Sequence, residues 1–380
     1  VHTLSLLEQT VGIPFTHDNS VEVLKNGDEI FPAMLTAIEN ATQSVDFLTF
    51  VYWEGNIAEK FAEALSEKAS QGIQVRVLLD AFGALPMNKA LLDKMRKAGA
   101  HVIWFRPLAR WKIWKSDNRT HRKILICDDQ VAFTGGVGIA QEWEGDARNP
   151  NEWRETHFKL KGSAVRGIKS AFVENWIEAT DALNHDLFNS DNHPSSGTTS
   201  VQVLRTSASV RWSDIVLLYQ TLLSSASKKI HICTAYFNPD DALVEILCCK
   251  ANEGVDVKII LPGSHTDKRV SKIAAEDIFE PLLASDIELY YYQKTMMHAK
   301  ILLVDDEVSC FGSANFNHRS MLKDDEINLV AIDKALNTEL DAHFEEDLSN
   351  SERVTRQRWK RRSLTRRMYE SAIRLIKQEI

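Results

Sequence analysis

The 380-residue chain is 44% hydrophobic, enough to bury more than one core, and its formal net charge of -8 argues against a general nucleic-acid or anionic-membrane binder acting by whole-molecule attraction. Any affinity for phosphate must therefore be local. No run approaches the roughly 18 apolar residues of a membrane-spanning helix, and no signal peptide is visible. Cys127, Cys233, Cys248, Cys249 and Cys310 lack zinc or disulfide-framework spacing and read as reduced core thiols of a cytoplasmic protein. The sequence opens at Val1, which leaves a preceding membrane anchor as an open alternative.

Taken in chain order, the sequence repeats itself. VEVLKNG from Val21 matches VQVLRTS from Val201, and each is followed by the same series of elements. The first copy predicts a helix over PAMLTAIENATQ, a strand over VDFLTFVYW, a helix over NIAEKFAEALSEKASQG, a strand over IQVRVLLD, a helix over ALLDKMRKAG and a strand over AHVIWF. The second predicts the corresponding elements over IVLLYQTLLSSAS, KIHICTAYF, DALVEILCCKANEG, VDVKIILP, KIAAEDIFEPLLAS and DIELYYY. Gly72 and Gly254 fall at matched helix ends, where a left-handed C-terminal residue is wanted.

This alternation predicts an α/β fold: two pseudo-symmetric lobes, each a mostly parallel sheet flanked by helices. The expected divisions are residues 1–184, a Ser, Asn, Gly and Pro-rich linker at 185–200, residues 201–350, and a basic tail at 351–380. The tail, with ten basic and three acidic residues, repeats apolar side chains at Leu364, Met368, Ala372, Ile376 and Ile380. It suits either an anionic bilayer surface or a helix docked on the core. The segment WFRPLARWKIWKSDNRT interleaves Trp104, Trp111 and Trp114 with Arg106, Arg110, Lys112 and Lys115. It suits a lipid headgroup boundary, stacked single-stranded nucleic acid, or simple packing on its own lobe.

Both copies then reach HxKxxxxD: His121, Lys123 and Asp128 in HRKILICD, and His298, Lys300 and Asp305 in HAKILLVD. One such match arises by chance in roughly 3% of chains this long, and a second in register is far rarer. Residues i and i+2 of a strand share a face, so each His stands beside a Lys. Asp128 and Asp305 complete the set, but their odd spacing places them in the turn rather than against phosphate. Downstream, GGVGIAQEW and GSANFNHRS offer Gly136, Ser313 and Asn315 as phosphate contacts through backbone N–H groups and neutral donors. Two His and two Lys form a phosphodiester site in which one imidazole attacks phosphorus and the other protonates the leaving oxygen. No metal or cofactor is required. His101 and His231 read as structural, and His157 and His318 stay outside the catalytic set.

The paired motifs resemble those of the phospholipase D superfamily, and the flanking text is similar to bacterial cardiolipin synthases. The similarity includes AFTGG (132–136), WRETH (153–157), AFVENWIEAT, GSANFNHRS and EINL (326–329). This resemblance implies that His121 is the nucleophile and His298 the acid, with Glu155 and Glu326 orienting them. It further implies a glycerophospholipid substrate such as phosphatidylglycerol, a ping-pong transfer through phosphohistidine, and peripheral attachment to the inner membrane. No obligate protein partner is evident. Hydrolysis to phosphatidic acid and cleavage of a nucleic-acid backbone are the alternative activities, the latter opposed by the net charge; a non-catalytic membrane-binding protein is a further class. Gly138 departs from the family's usual Asn, which its counterpart Asn315 retains.

Overall fold

In the computed structural model, residues 2–107, 118–182, 187, 194–207, 213–267, 276 and 278–360 are described. The apolar face of the tail (364–380) lies outside them, as do Arg110, Trp111, Lys112, Trp114 and Lys115.

The first half contributes strands β1 (Thr16–Lys25), β2 (Ser44–Thr49), β3 (Gln74–Asp80), β4 (His101–Phe105), β5 (Ile124–Cys127), β6 (Val131–Gly135) and β7 (Thr156–Lys161). The second contributes β8 (Thr199–Thr206), β9 (Lys229–Cys233), β10 (Phe237–Asn238), β11 (Asp256–Pro262), β12 (Glu288–Tyr292), β13 (Ile301–Val304), β14 (Val308–Gly312), β15 (Phe316–Asn317), β16 (Glu326–Ile332) and β17 (Ser351–Arg353). Fifteen of these form one continuous sheet in the order β17-β12-β11-β9-β13-β14-β16-β8-β1-β7-β6-β5-β2-β3-β4. Outward from its centre, the order β1-β7-β6-β5-β2-β3-β4 in one half repeats as β8-β16-β14-β13-β9-β11-β12 in the other. The repeat markers VEVLKNG and VQVLRTS therefore contain the ends of the two central strands, through Lys25 and Thr206, and these strands pair antiparallel across the junction.

The expectation of mostly parallel sheets needs correction. Among the described residues, parallel pairing within this sheet is confined to β2–β3–β4 and β9–β11–β12. Elsewhere neighbours run antiparallel. The cause is local: only residues 128–130 separate β5 from β6, and only 305–307 separate β13 from β14. Such short loops make hairpins, whereas parallel neighbours need a crossover. Asp128 and Asp305 adopt left-handed φ of 55° and 53° in these turns.

Alternation along the strands feeds two faces of the sheet. In β2, Val45 and Phe47 join a core made by the first half, with Ile57, Phe61 and Leu65 of the helix Asn56–Ser70. Leu48 instead joins a core that both halves share, covered by the helices Ala164–Thr180 and Lys334–Ser349 through Phe172, Trp176, Leu340 and Phe344. Phe158 and Phe311 stack across the junction with centroids 3.7 Å apart. The third core belongs to the second half but also takes Leu7 and Phe15 from the chain's beginning. Gly72 and Gly254 adopt φ of 84° and 92° at their helix ends, where Ile73 and Val255 donate back to Lys68 and Lys250 carbonyls. Cys127, Cys233 and Cys310 are buried, whereas Cys249 is exposed, a departure from the core-thiol reading. No helix among the described residues is long and apolar enough to cross a membrane.

Candidate active site

The motif residues meet where the halves exchange backbone hydrogen bonds. His121 N–H donates to the Asp325 carbonyl at 2.9 Å, and His298 N–H donates to the Arg154 carbonyl at 2.8 Å. Each bond puts a motif histidine beside a carboxylate supplied by the opposite half. His121 Nδ1 lies 3.0 Å from Glu326, and His298 Nδ1 lies 2.6 Å from Glu155. With Nδ1 engaged by a carboxylate that fixes tautomer and orientation, Nε2 is the nitrogen that faces the chemistry, and at His298 Lys300 Nζ lies 3.2 Å from it. Lys123 Nζ donates to the His121 carbonyl at 2.6 Å; Lys300 Nζ donates to the His298 carbonyl and lies 2.9 Å from His298 Nδ1.

These groups also share one electrostatic field. Burial pushes His121 down to about 4 and is opposed by Glu326, while Lys123 and Lys300 add to the depression. His298 is held well below its ordinary value by burial, then by Lys300 and Lys123. Burial and the facing lysine lower Lys123 to about 7 against the pull of Glu326. Burial lowers Lys300 to about 8 against Glu155 and Glu326. The free site therefore holds fewer positive charges than its four cationic side chains allow. An arriving phosphodiester anion favours reprotonation.

The two carboxylates differ. Burial works to raise Glu326, but His121, Lys123 and the Ser313 hydroxyl outweigh it and hold the carboxyl below its usual range. Glu155 is raised by burial despite Lys300 and the donors Thr156 N–H and Trp143 Nε1–H. Ser313, predicted to touch phosphate, thus serves Glu326. Its counterpart Gly136 serves Glu155, whose carboxylate lies only 2.5 Å from where a Cβ would stand. Asn315 is buried, and its side-chain oxygen has no hydrogen-bond partner, which leaves an acceptor for a ligand's donor or for water. Asp128 and Asp305 sit apart from the histidines. Asp128 accepts N–H groups of Thr42, Gln43 and Ser44, and Asp305 those of Ser227, Lys228 and Lys229. The motif His and Lys just precede β5 and β13 and do not lie within a strand as predicted, and the four residues of each strand separate them from the Asp at its far end. Asp128 and Asp305 lock the hairpin turns to the neighbouring strands.

Sequence reasoning missed Trp143. A Cβ on Gly138 would stand 2.8 Å from Val51 and 3.0 Å from the Trp143 indole, so this indole occupies the space an Asn side chain would need. Trp143 meets His298 edge-on with centroids 5.2 Å apart, Trp153 lies 5.3 Å from the same ring and 4.4 Å from Trp143, and Trp143 Nε1 is 3.3 Å from Glu155 Oε2. The donor that Ser313 gives Glu326 is thus given to Glu155 by an indole. Trp143→Phe keeps an aromatic ring and removes the donor. Losing a bond of about 1 kcal/mol raises the proton affinity of Glu155, so the acid limb of the kcat profile is expected to move up by roughly 0.5 to 1 pH unit. An unmoved limb alongside a lowered melting temperature would reduce Trp143 to packing.

Three other histidines have separate surroundings. His231 bonds Asp341 at 2.9 Å and stacks on Phe344, and His101 is exposed on β4. Burial depresses His157 to about 3, so this ring stays neutral beneath the site.

Comparison with known proteins places the chain. The family model described as "Cardiolipin synthase, PLD-like domain" matches residues 34–144 and 219–348. Cardiolipin synthase 1 of Bacillus cereus is 32% identical over 99% of this chain and 75% of its own length. The major cardiolipin synthase ClsA of Bacillus subtilis is 32% identical over 95% of this chain and 76% of its own. The crystal structure of phosphatidylserine synthase from Haemophilus influenzae superposes over 100% of both chains with a TM-score of 0.73 at 15% identity, a likeness of fold. On the extent of the family match and of these identities, the chain belongs to the phospholipase D-like cardiolipin synthase family.

Proposed function

We propose that the chain is a phosphatidyltransferase that converts phosphatidylglycerol to cardiolipin and glycerol. The observation that carries this reading is the pair of motif histidines, each held at Nδ1 by a carboxylate from the opposite half. His121 Nε2 attacks phosphorus and forms an N–P bond as the P–O bond to glycerol breaks. His298, protonated once the phosphate anion has entered between Lys123 and Lys300, gives its proton to the departing glycerol oxygen. The hydroxyl of a second phosphatidylglycerol then attacks phosphorus, the N–P bond breaks, and the hydroxyl proton returns to His298. The lysines stabilise the charge on the equatorial oxygens throughout. Glu326, kept ionised, supports the developing imidazolium of His121.

Transfer competes with hydrolysis because positioning of a second lipid hydroxyl outweighs the abundance of water. The substrate implies work at a membrane surface, and we place the protein on the cytoplasmic side of the inner membrane, with the basic tail as a second contact. Phosphatidylglycerol vesicles incubated with the protein should yield cardiolipin and free glycerol in equal amounts. Phosphatidic acid as the sole lipid product would make it a hydrolase. Absence of lipid turnover together with cleavage of single-stranded DNA would move it to a nuclease role.

A further inference from the structure

Among the described residues, two large apolar side chains are left exposed, Phe82 at 59% and Leu85 at 66%. Both belong to one turn, residues 81–86, directly after β3. The turn is firmly held. Asp80 Oδ1 accepts the N–H groups of Phe82 at 2.9 Å and Gly83 at 3.0 Å, while Trp53 Nε1 donates to the Gly83 carbonyl at 2.7 Å. Its small residues Ala81 and Ala84 point inward and are buried. Phe82 and Leu85 are thus presented to the outside by an anchored backbone, against the usual partition of apolar side chains.

The turn also adjoins the reacting groups. Gly83 lies against Phe50, whose carbonyl oxygen and ring leave no room for a Cβ there, and the Phe50 ring meets the His121 ring with centroids 5.3 Å apart. Lys123 Nζ lies 5.6 Å from the centre of the same Phe50 ring. Exposed Lys89 follows four residues after Leu85, which adds a positive charge suited to an anionic surface.

We infer that the turn carrying Phe82 and Leu85 inserts into the anionic lipid surface that holds the substrate, seating the mouth beside His121 against the bilayer. This rests on the lipid-substrate reading above. A bilayer is favoured as occupant because the apolar pair and the basic residue are continuous with a site whose substrate would come from that bilayer.

The test is the double variant Phe82→Ser/Leu85→Ser, measured against wild type on sucrose-loaded phosphatidylglycerol vesicles and on short-chain phosphatidylglycerol dissolved as monomers. Losing two inserted side chains should weaken vesicle sedimentation about tenfold or more. Vesicle turnover should fall in parallel, with monomer turnover unchanged within about twofold. Unchanged vesicle binding would overturn the inference, including the case in which the variant instead loses self-association. An equal loss on monomeric lipid would also overturn it, since the turn would then act on the site itself. Wild-type protein that binds vesicles through this turn but converts neither lipid form would sink the proposed activity and leave the surface standing.

Discussion

Turnover of phosphatidylglycerol by His121→Ala and by His298→Ala is expected to fall by about a thousandfold or more, with the fold intact, because nucleophile and acid act as one unit. Each imidazole is tied to the opposite half at Nδ1, so neither can stand in for the other. The two losses should separate when the leaving group changes. From a 4-nitrophenyl phosphodiester the 4-nitrophenolate leaves as a stable anion without help from an acid, so His298→Ala should recover much of its rate on that substrate. His121→Ala still lacks the nucleophile and should not recover. Recovery by both variants, or by His121→Ala alone, would reverse or remove the assigned roles.

The second large effect concerns stability at the junction. Arg154 immediately precedes Glu155, its carbonyl holds His298, and its guanidinium is buried against Asp347 with Nε–O distances of 2.9 and 3.0 Å. The side chains of both partners are almost fully buried, at 2% and 5% exposure. Asp347→Ala would strand an unpaired guanidinium in the interior, and we expect a loss of about 3 to 5 kcal/mol in chemical denaturation. Glu63→Ala, which breaks the exposed Lys94–Glu63 pair, should cost less than about 1 kcal/mol. Similar losses in the two variants would show that the buried pair carries no special weight. The other half solves the same problem differently: Asn175, on the corresponding helix, donates to Asp325, the residue before Glu326.

The repeat, the motif strands and the helix-ending glycines were legible because each is written in local spacing. Strand periodicity placed β2, β3, β9 and β11, and HxKxxxxD pointed to His121, Lys123, His298 and Lys300. The sheet's continuity was not legible. Whether β1 pairs with β8 depends on how distant segments meet, and no period within either segment encodes that. The contacts that Gly136 and Ser313 make with Glu155 and Glu326 were not legible for a related reason. Small residues permit close approach, but sequence alone does not say whether phosphate or a carboxylate approaches. Trp143 left only an indirect signal, the Gly at 138, which reads as a lost Asn until the indole is seen occupying its place.

The covalent intermediate is the central claim, and rapid quench with mass spectrometry tests it directly. Wild-type protein mixed with short-chain phosphatidylglycerol and stopped in alkali, which preserves N–P bonds, should yield a peptide carrying the phosphatidyl group on His121. Its formation should be matched by an equal burst of glycerol. A modified His298 would invert the mechanism. Cardiolipin production with neither histidine modified and no burst of glycerol would contradict the account.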